Sequence, residues 1–93
     1  MKNGIFALKN MLTGRIEEIY AMATEGLAIR ILGNLVDKRG REGNPTENFE
    51  DKKLYKLGEY DIESGKIEAE DVPKYIPWGI KEPIETKAEE VKE

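Results

Sequence analysis

The chain has 93 residues, 39% hydrophobic and 37% charged, with a formal net charge of −4, which fits one small domain with a heavily charged surface. It has no cysteine and no histidine, and Ser64 is its single serine, so disulfides, thiolate nucleophiles, serine–histidine relays and histidine-ligated metals are excluded. No apolar run approaches the roughly 18 residues of a membrane span, and the opening MKNGIFALKNMLTG lacks the apolar core and cleavage site of a signal peptide.

Ile5–Lys9 (IFALK) reads as a short strand, followed by a turn over Asn10–Gly14. Arg15–Met22 (RIEEIYAM) reads as the returning strand. Ile16, Glu18 and Tyr20 alternate there with Glu17, Ile19 and Ala21, so neither face is purely apolar. A helix over Leu12–Met22 is the alternative, because Ile16, Ile19 and Tyr20 also fit a helical stripe.

Thr24 is suited to cap a helix, with Glu25 against the positive end of the helix dipole. From Glu25 to Arg39, Leu27, Ala28, Ile31, Leu32, Leu35 and Val36 recur at spacings of three and four. That is the stripe of a helix laid on a sheet. Lys38 and Arg39 suit its last turn, and Gly40 its C-cap. Gly40–Lys53 is a polar loop broken by Gly40, Gly43 and Pro45, which Phe49 is expected to pin to the core.

A β-hairpin is expected over Lys53–Glu70. Leu54, Lys56, Gly58 and Tyr60 share one parity; Tyr55, Leu57 and Glu59 share the other. Asp61, Ser64 and Gly65 supply turn chemistry. In Asp71–Ile80 (DVPKYIPWGI), Pro73 and Pro77 exclude a central strand. Val72, Tyr75, Ile76, Trp78 and Ile80 suit an arm that drapes over the domain or docks on a partner. Trp78 either caps the core or anchors an interface. Lys81–Glu93 is nearly all charge and is expected to be a disordered tail, leaving residues 1–80 as the domain with its arm.

No phosphate-binding glycine loop is present: Gly40–Gly43 is GREG, and Ser64–Gly65–Lys66 has the wrong order. Glu59, Asp61, Glu63, Glu68, Glu70 and Asp71 crowd the hairpin, where such charges are ordinarily solvated surface. No catalytic residue, metal site or cofactor is expected, and the chain does not read as an enzyme. Charge is uneven, however. Residues 1–44 carry seven Lys/Arg and five Asp/Glu (7 − 5 = +2), and residues 45–93 carry eight and fourteen (8 − 14 = −6). Lys9, Arg15, Arg30, Lys38, Arg39 and Arg41 form the basic set, with Lys38, Arg39 and Arg41 grouped to meet phosphates. Tyr20, Tyr55 and Tyr60 offer ring faces to unpaired bases. The plainer reading makes the basic group a dipole complement and the tyrosines core. Tyr75 and Trp78 are the candidates for a protein interface.

The segment LYKLGEYDIESGKIE resembles the late segment of the small non-structural protein of gokushovirus-type microviruses, phages with single-stranded DNA. Asp51, Leu54, Tyr55, Leu57, Gly58, Tyr60, Asp61, Ser64, Gly65 and Ile67 match that family's D-x-x-L-Y-x-L-G-x-F/Y-D-x-x-T/S-G-x-I/F pattern. Ala28, Ile29 and Arg30 match its Ala-Ile-Arg run, and Val36 and Asp37 the end of its helix, over about residues 4–76. Tyr20–Ala21–Met22 replaces a Pro-Phe stretch common before the helix, and the Pro73–Glu93 extension is long and acidic. The resemblance implies an accessory factor in the cytoplasm of the infected bacterium, with single-stranded DNA as ligand and a role in genome replication or packaging. The alternative is an interaction module, binding a phage or host protein or a second copy of itself without nucleic acid.

The expected fold is α+β: a small antiparallel sheet from two hairpins with one amphipathic helix on one face. Its expected core is Ile5, Ala7, Ile16, Leu27, Ile31, Leu32, Leu35, Leu54, Leu57 and Ile67.

Overall fold

The computed structural model describes residues 1–78. The expectations for Gly79, Ile80 and the charged tail at 81–93 lie outside the described residues. Strands β1 (Lys2–Asn10) and β2 (Arg15–Met22) precede helix α1 (Glu25–Arg41), and strands β3 (Lys52–Asp61) and β4 (Ile67–Ile76) follow it. The four strands form one antiparallel sheet in the order β2-β1-β3-β4. Residues 15–22 are therefore strand, as favoured. The two hairpins are joined along β1 and β3, with Leu8 opposite Leu54.

Turn chemistry fixes both hairpins. The Asn10 side-chain oxygen accepts from the Leu12 N–H at 2.9 Å, which starts the first turn. In the second, Asp61 Oδ1 accepts from the N–H groups of Glu63 and Ser64, and Gly65 takes φ 76°, a value costly for other residues.

The helix starts where the capping pattern placed it: the Leu27 N–H donates to Thr24 Oγ1 at 3.1 Å. It ends later than expected, running through Gly40 to Arg41, with Glu42 as C-cap. Gly40 serves close approach rather than capping. A Cβ there would sit 2.4 Å from the Glu47 carbonyl oxygen, so only glycine lets the following loop fold back against the helix.

The core lies between α1 and one face of the sheet. Phe6, Leu8, Leu54 and Ile76 come from the strands, and Ala28, Leu32 and Val36 from the helix. Trp78 closes the end of this layer, and Tyr20, Met22, Ile29, Leu35 and Phe49 pack around it. Each large side chain here contributes roughly 1.5–3 kcal/mol of burial.

Two one-residue bulges reassign the faces. One lies opposite Leu8 and Lys9, where Leu8 pairs with Glu18 but Lys9 pairs with Ile16. Glu17 and Glu18 consequently both turn toward the helix side, while Ile16, Ile19 and Ala21 share the other face. The second lies at Leu57: Phe6 pairs with Lys56 but Ile5 with Gly58. Past it, Glu59 joins the helix side and Tyr60 joins the face of Tyr55, reversing the expected alternation. An inserted residue moves every later side chain to the opposite face.

Ile16, Ile31 and Ile67, expected in the core, are instead 39%, 44% and 66% exposed. Ile16 and Ile67 sit on the far face of the sheet, and Ile31 on an outer flank of the helix. Ile5, Leu27, Leu35 and Leu57 are half-buried; Ala7, Leu32 and Leu54 are fully buried. The expected arm is also corrected. Residues 71–76 continue β4, and Pro73 is tolerated because β4 is an edge strand whose register jumps between Ala69 and Lys74.

Candidate nucleic-acid interface

No described element covers the far face of the sheet. Its side chains line up in rows across the strands. One row runs Ile19, Ala7, Tyr55, Tyr75 across all four strands. The next runs Ala21, Ile5, Gly58, Ala69. At one end lie Ile16, Lys9 and Lys53; at the other, Asn3, Tyr60 and Ile67. None of these positions is a carboxylate, although the chain holds 19 Asp/Glu.

Two features mark this face electrostatically. Lys9 and Lys53 stand directly opposite each other on the central strands. Like charges in that position repel. Neither lysine has a carboxylate partner among the described residues. Lys9 Nζ instead lies 5.3 Å from the Tyr55 ring centroid, a cation–π contact. Tyr55 and Tyr75 form a tilted pair with centroids 5.6 Å apart, and Tyr75 is 46% exposed. Aromatic rings flanked by unneutralised ammonium groups can receive stacked bases and their phosphates.

The helix side of β2 holds the opposite arrangement. Arg39 donates to Glu18 from both terminal nitrogens, at 2.6 and 3.1 Å, and reaches Glu47 at 3.4 Å. Tyr20 Oη donates to Glu18. Lys52 is 2% exposed and pairs with Glu47 and, at 3.1 Å, with Glu17. The network welds the end of α1 and the following loop to the sheet.

These geometries sort the residues singled out in the sequence. Lys9, Tyr55 and Tyr75 come together on the open face. Arg39 is committed to its carboxylates, and Arg41 pairs with Asp37 at 2.5 Å across one helical turn. Lys38 and Arg30 are exposed on the helix. Arg15 lies at the tip of the first hairpin, opposite Asn10. The hollow beside the helix end contains Asp37, Arg41 and Glu47, a poor setting for a phosphate. Tyr20 is under the helix. Trp78 is 4% exposed and sits in the core, the first of its two readings. Lys53 was missed, although its two-residue spacing from Tyr55 was a legible signal.

The network predicts a pH dependence. The Arg39 hydrogen bonds hold the Glu18 carboxyl below its ordinary value of 4.5. That stabilisation is complete above 4.5 and is lost as pH falls through the lower folded value. Burial opposes the Lys52 ammonium, but hydrogen bonds to Glu47 and Glu17 outweigh it and raise the pKa above 10.5. Its stabilisation is complete below 10.5 and is lost as pH rises through the folded value. Thermal unfolding followed by circular dichroism should show a plateau between these limits. Glu18→Gln should lower the plateau and flatten its acid limb; an unchanged acid limb would mean other carboxylates govern it.

The fold defines a small α+β domain with one sheet surface covered by the helix and the other left open among the described residues. The chain belongs to the phage ORF5 protein family, whose model matches residues 3–81. The match runs past Trp78, so the strand and tryptophan that complete the core fall within the family's span. No curated protein and no solved structure matches the chain.

Proposed function

We propose that this is a non-structural phage accessory protein that binds single-stranded DNA on the open face of its sheet. The observation that carries the reading is the facing pair Lys9 and Lys53 beside the Tyr55–Tyr75 pair, on a face whose registered positions include no carboxylate. The chain is acidic overall, so a carboxylate-free basic patch is not a by-product of composition. Membership of a phage family and the resemblance to gokushovirus-type microvirus proteins support a single-stranded DNA ligand in the cytoplasm of the infected bacterium. Genome replication or packaging is the setting this reading implies.

Fluorescence-anisotropy titration with single-stranded oligonucleotides tests it. Each phosphate neutralised adds roughly 0.7 to the slope of log affinity against log salt. Lys9→Glu with Lys53→Glu should therefore flatten the slope by about 1.4 and weaken binding to all sequences alike. Tyr55→Ala should lose about 1–3 kcal/mol. Lys38→Glu should change little. No binding by the wild type at low salt, or an equal loss with Lys38→Glu, would sink the reading.

A second reading has its own observation. Ile19 and Ile67 on the same face are 61% and 66% exposed, an apolar surface suited to a protein partner. Failure to bind any oligonucleotide makes that face a protein contact, with Ile19 and Tyr75 as its anchors.

A further inference from the structure

The two edges of the sheet are protected differently. On β4, Pro73 has no N–H to offer, Lys74 brings a charge, and the register breaks between Ala69 and Lys74. These are ordinary devices against edge pairing. Strand β2 has no proline and no lysine, and its one bulge, at Glu17, leaves residues 18–22 in regular register. Its carboxylates are already taken inside the chain, Glu17 by Lys52 and Asn10, Glu18 by Arg39 and Tyr20. Among the described residues, no turn or loop backbone bond reaches residues 16–22. Ile19 is exposed beside this edge, as are Met11 and Leu12 at the hairpin tip.

We infer that β2 pairs antiparallel with β2 of a second copy, about a two-fold axis through Ile19. Residues directly opposite in such a pair share a face. The open-face residues of β2 are Ile16, Ile19 and Ala21; Glu17, Glu18, Tyr20 and Met22 lie on the helix side. Centring on Ile19 sets Ile19 against Ile19 and Glu18 against Tyr20. With Glu17 looped out, as it already is against β1, Ile16 meets Ala21 and Arg15 meets Met22. Every pair from Ile16 inward then matches in face, and the whole strand is used. Centring on Glu18 opposes two carboxylates on the axis and, with Glu17 looped out, carries Ala21 and Met22 beyond the end of the partner strand. Centring on Tyr20 pairs Ile19 with Ala21 and Glu18 with Met22, but it carries Ile16 beyond the end of the partner strand. The Ile19 register is self-complementary, as an isologous contact must be. It joins the two open faces into one continuous surface, and it stands whether or not that surface binds DNA.

Sedimentation equilibrium of the full chain should give twice the monomer mass of 10.6 kDa. Ile19→Lys places two ammonium groups opposite each other on the axis and should sediment at the monomer mass, with unchanged far-ultraviolet circular dichroism. Should that variant not fold, cysteine pairs decide, since the chain has none of its own. Ile19→Cys should oxidise to a disulfide-linked dimer. Ile67→Cys, similarly exposed at the β4 edge, should remain monomeric. A wild type that sediments at the monomer mass throughout the micromolar range overturns the inference. So does cross-linking of Ile67→Cys as complete as that of Ile19→Cys.

Discussion

Trp78→Ala should cost about 3–5 kcal/mol, the range for deleting a large buried aromatic. The indole stands edge-on to Phe49, with ring centroids 5.3 Å apart and planes at 78°. Its Nε1–H donates to the Lys52 carbonyl at 3.0 Å. Truncation would open a cavity beside Ile76 and leave that carbonyl without its partner, and an orphaned buried acceptor adds its own penalty of about 1–3 kcal/mol. Small domains have only about 5–15 kcal/mol in total. The variant should therefore be largely unfolded at modest urea concentrations. Urea titration measures the loss, and Trp78→Phe, which restores the ring but not the donor, should recover part of it. A cost below about 1 kcal/mol would return the tryptophan to the role of an interface anchor.

Lys52→Ala should be comparably damaging, at about 3–5 kcal/mol near neutral pH. The ammonium is almost wholly buried between Glu47 and Glu17, and the Glu47 side chain is only 10% exposed. Removing the cation strands a carboxylate in a site built for a pair. The loss comes mainly from the charge left behind, so Glu47→Gln in the Lys52→Ala background should restore a large share. A double-mutant cycle read by urea unfolding isolates that coupling. Additive single losses would show that the lysine stem matters for packing and its charge does not. Arg39 would moderate the effect, because it also reaches Glu47.

The elements were legible because local chemistry wrote them. Thr24 with the Leu27–Val36 stripe specified the helix, and Asp61, Ser64 and Gly65 the second turn. The faces of the strands were not legible. A bulge shows in no periodicity, since it consists of one residue placed out of step by its partners. At Glu17 and Leu57 it turned apparently mixed strands into a sorted sheet. The end of the helix was misread because Gly40 has two uses, and which one applies depends on a carbonyl seven residues later. The basic group Lys38, Arg39 and Arg41 looked available because sequence does not show that Glu18 lies beneath Arg39. Lys9 and Tyr55 belong to separate hairpins, so their juxtaposition becomes visible only once β1 and β3 are paired. Trp78 offered two readings because the two prolines before it, Pro73 and Pro77, suit an arm as well as the end of an edge strand.

The position of β1 in the sheet constrains how the chain assembles. It precedes the other three strands of the sheet, yet it is paired on both sides, and its second neighbour arrives only after the helix and the long loop. Until β3 is made, Phe6 and Leu8 have half their partners, and the layer stays open until Trp78 closes it. Pairings so distant along the chain are slow to form. A nascent chain stopped anywhere before β4 therefore presents an amphipathic helix and a two-stranded ribbon without a finished core. Closure of the core in this sense waits for the last strand of the sheet.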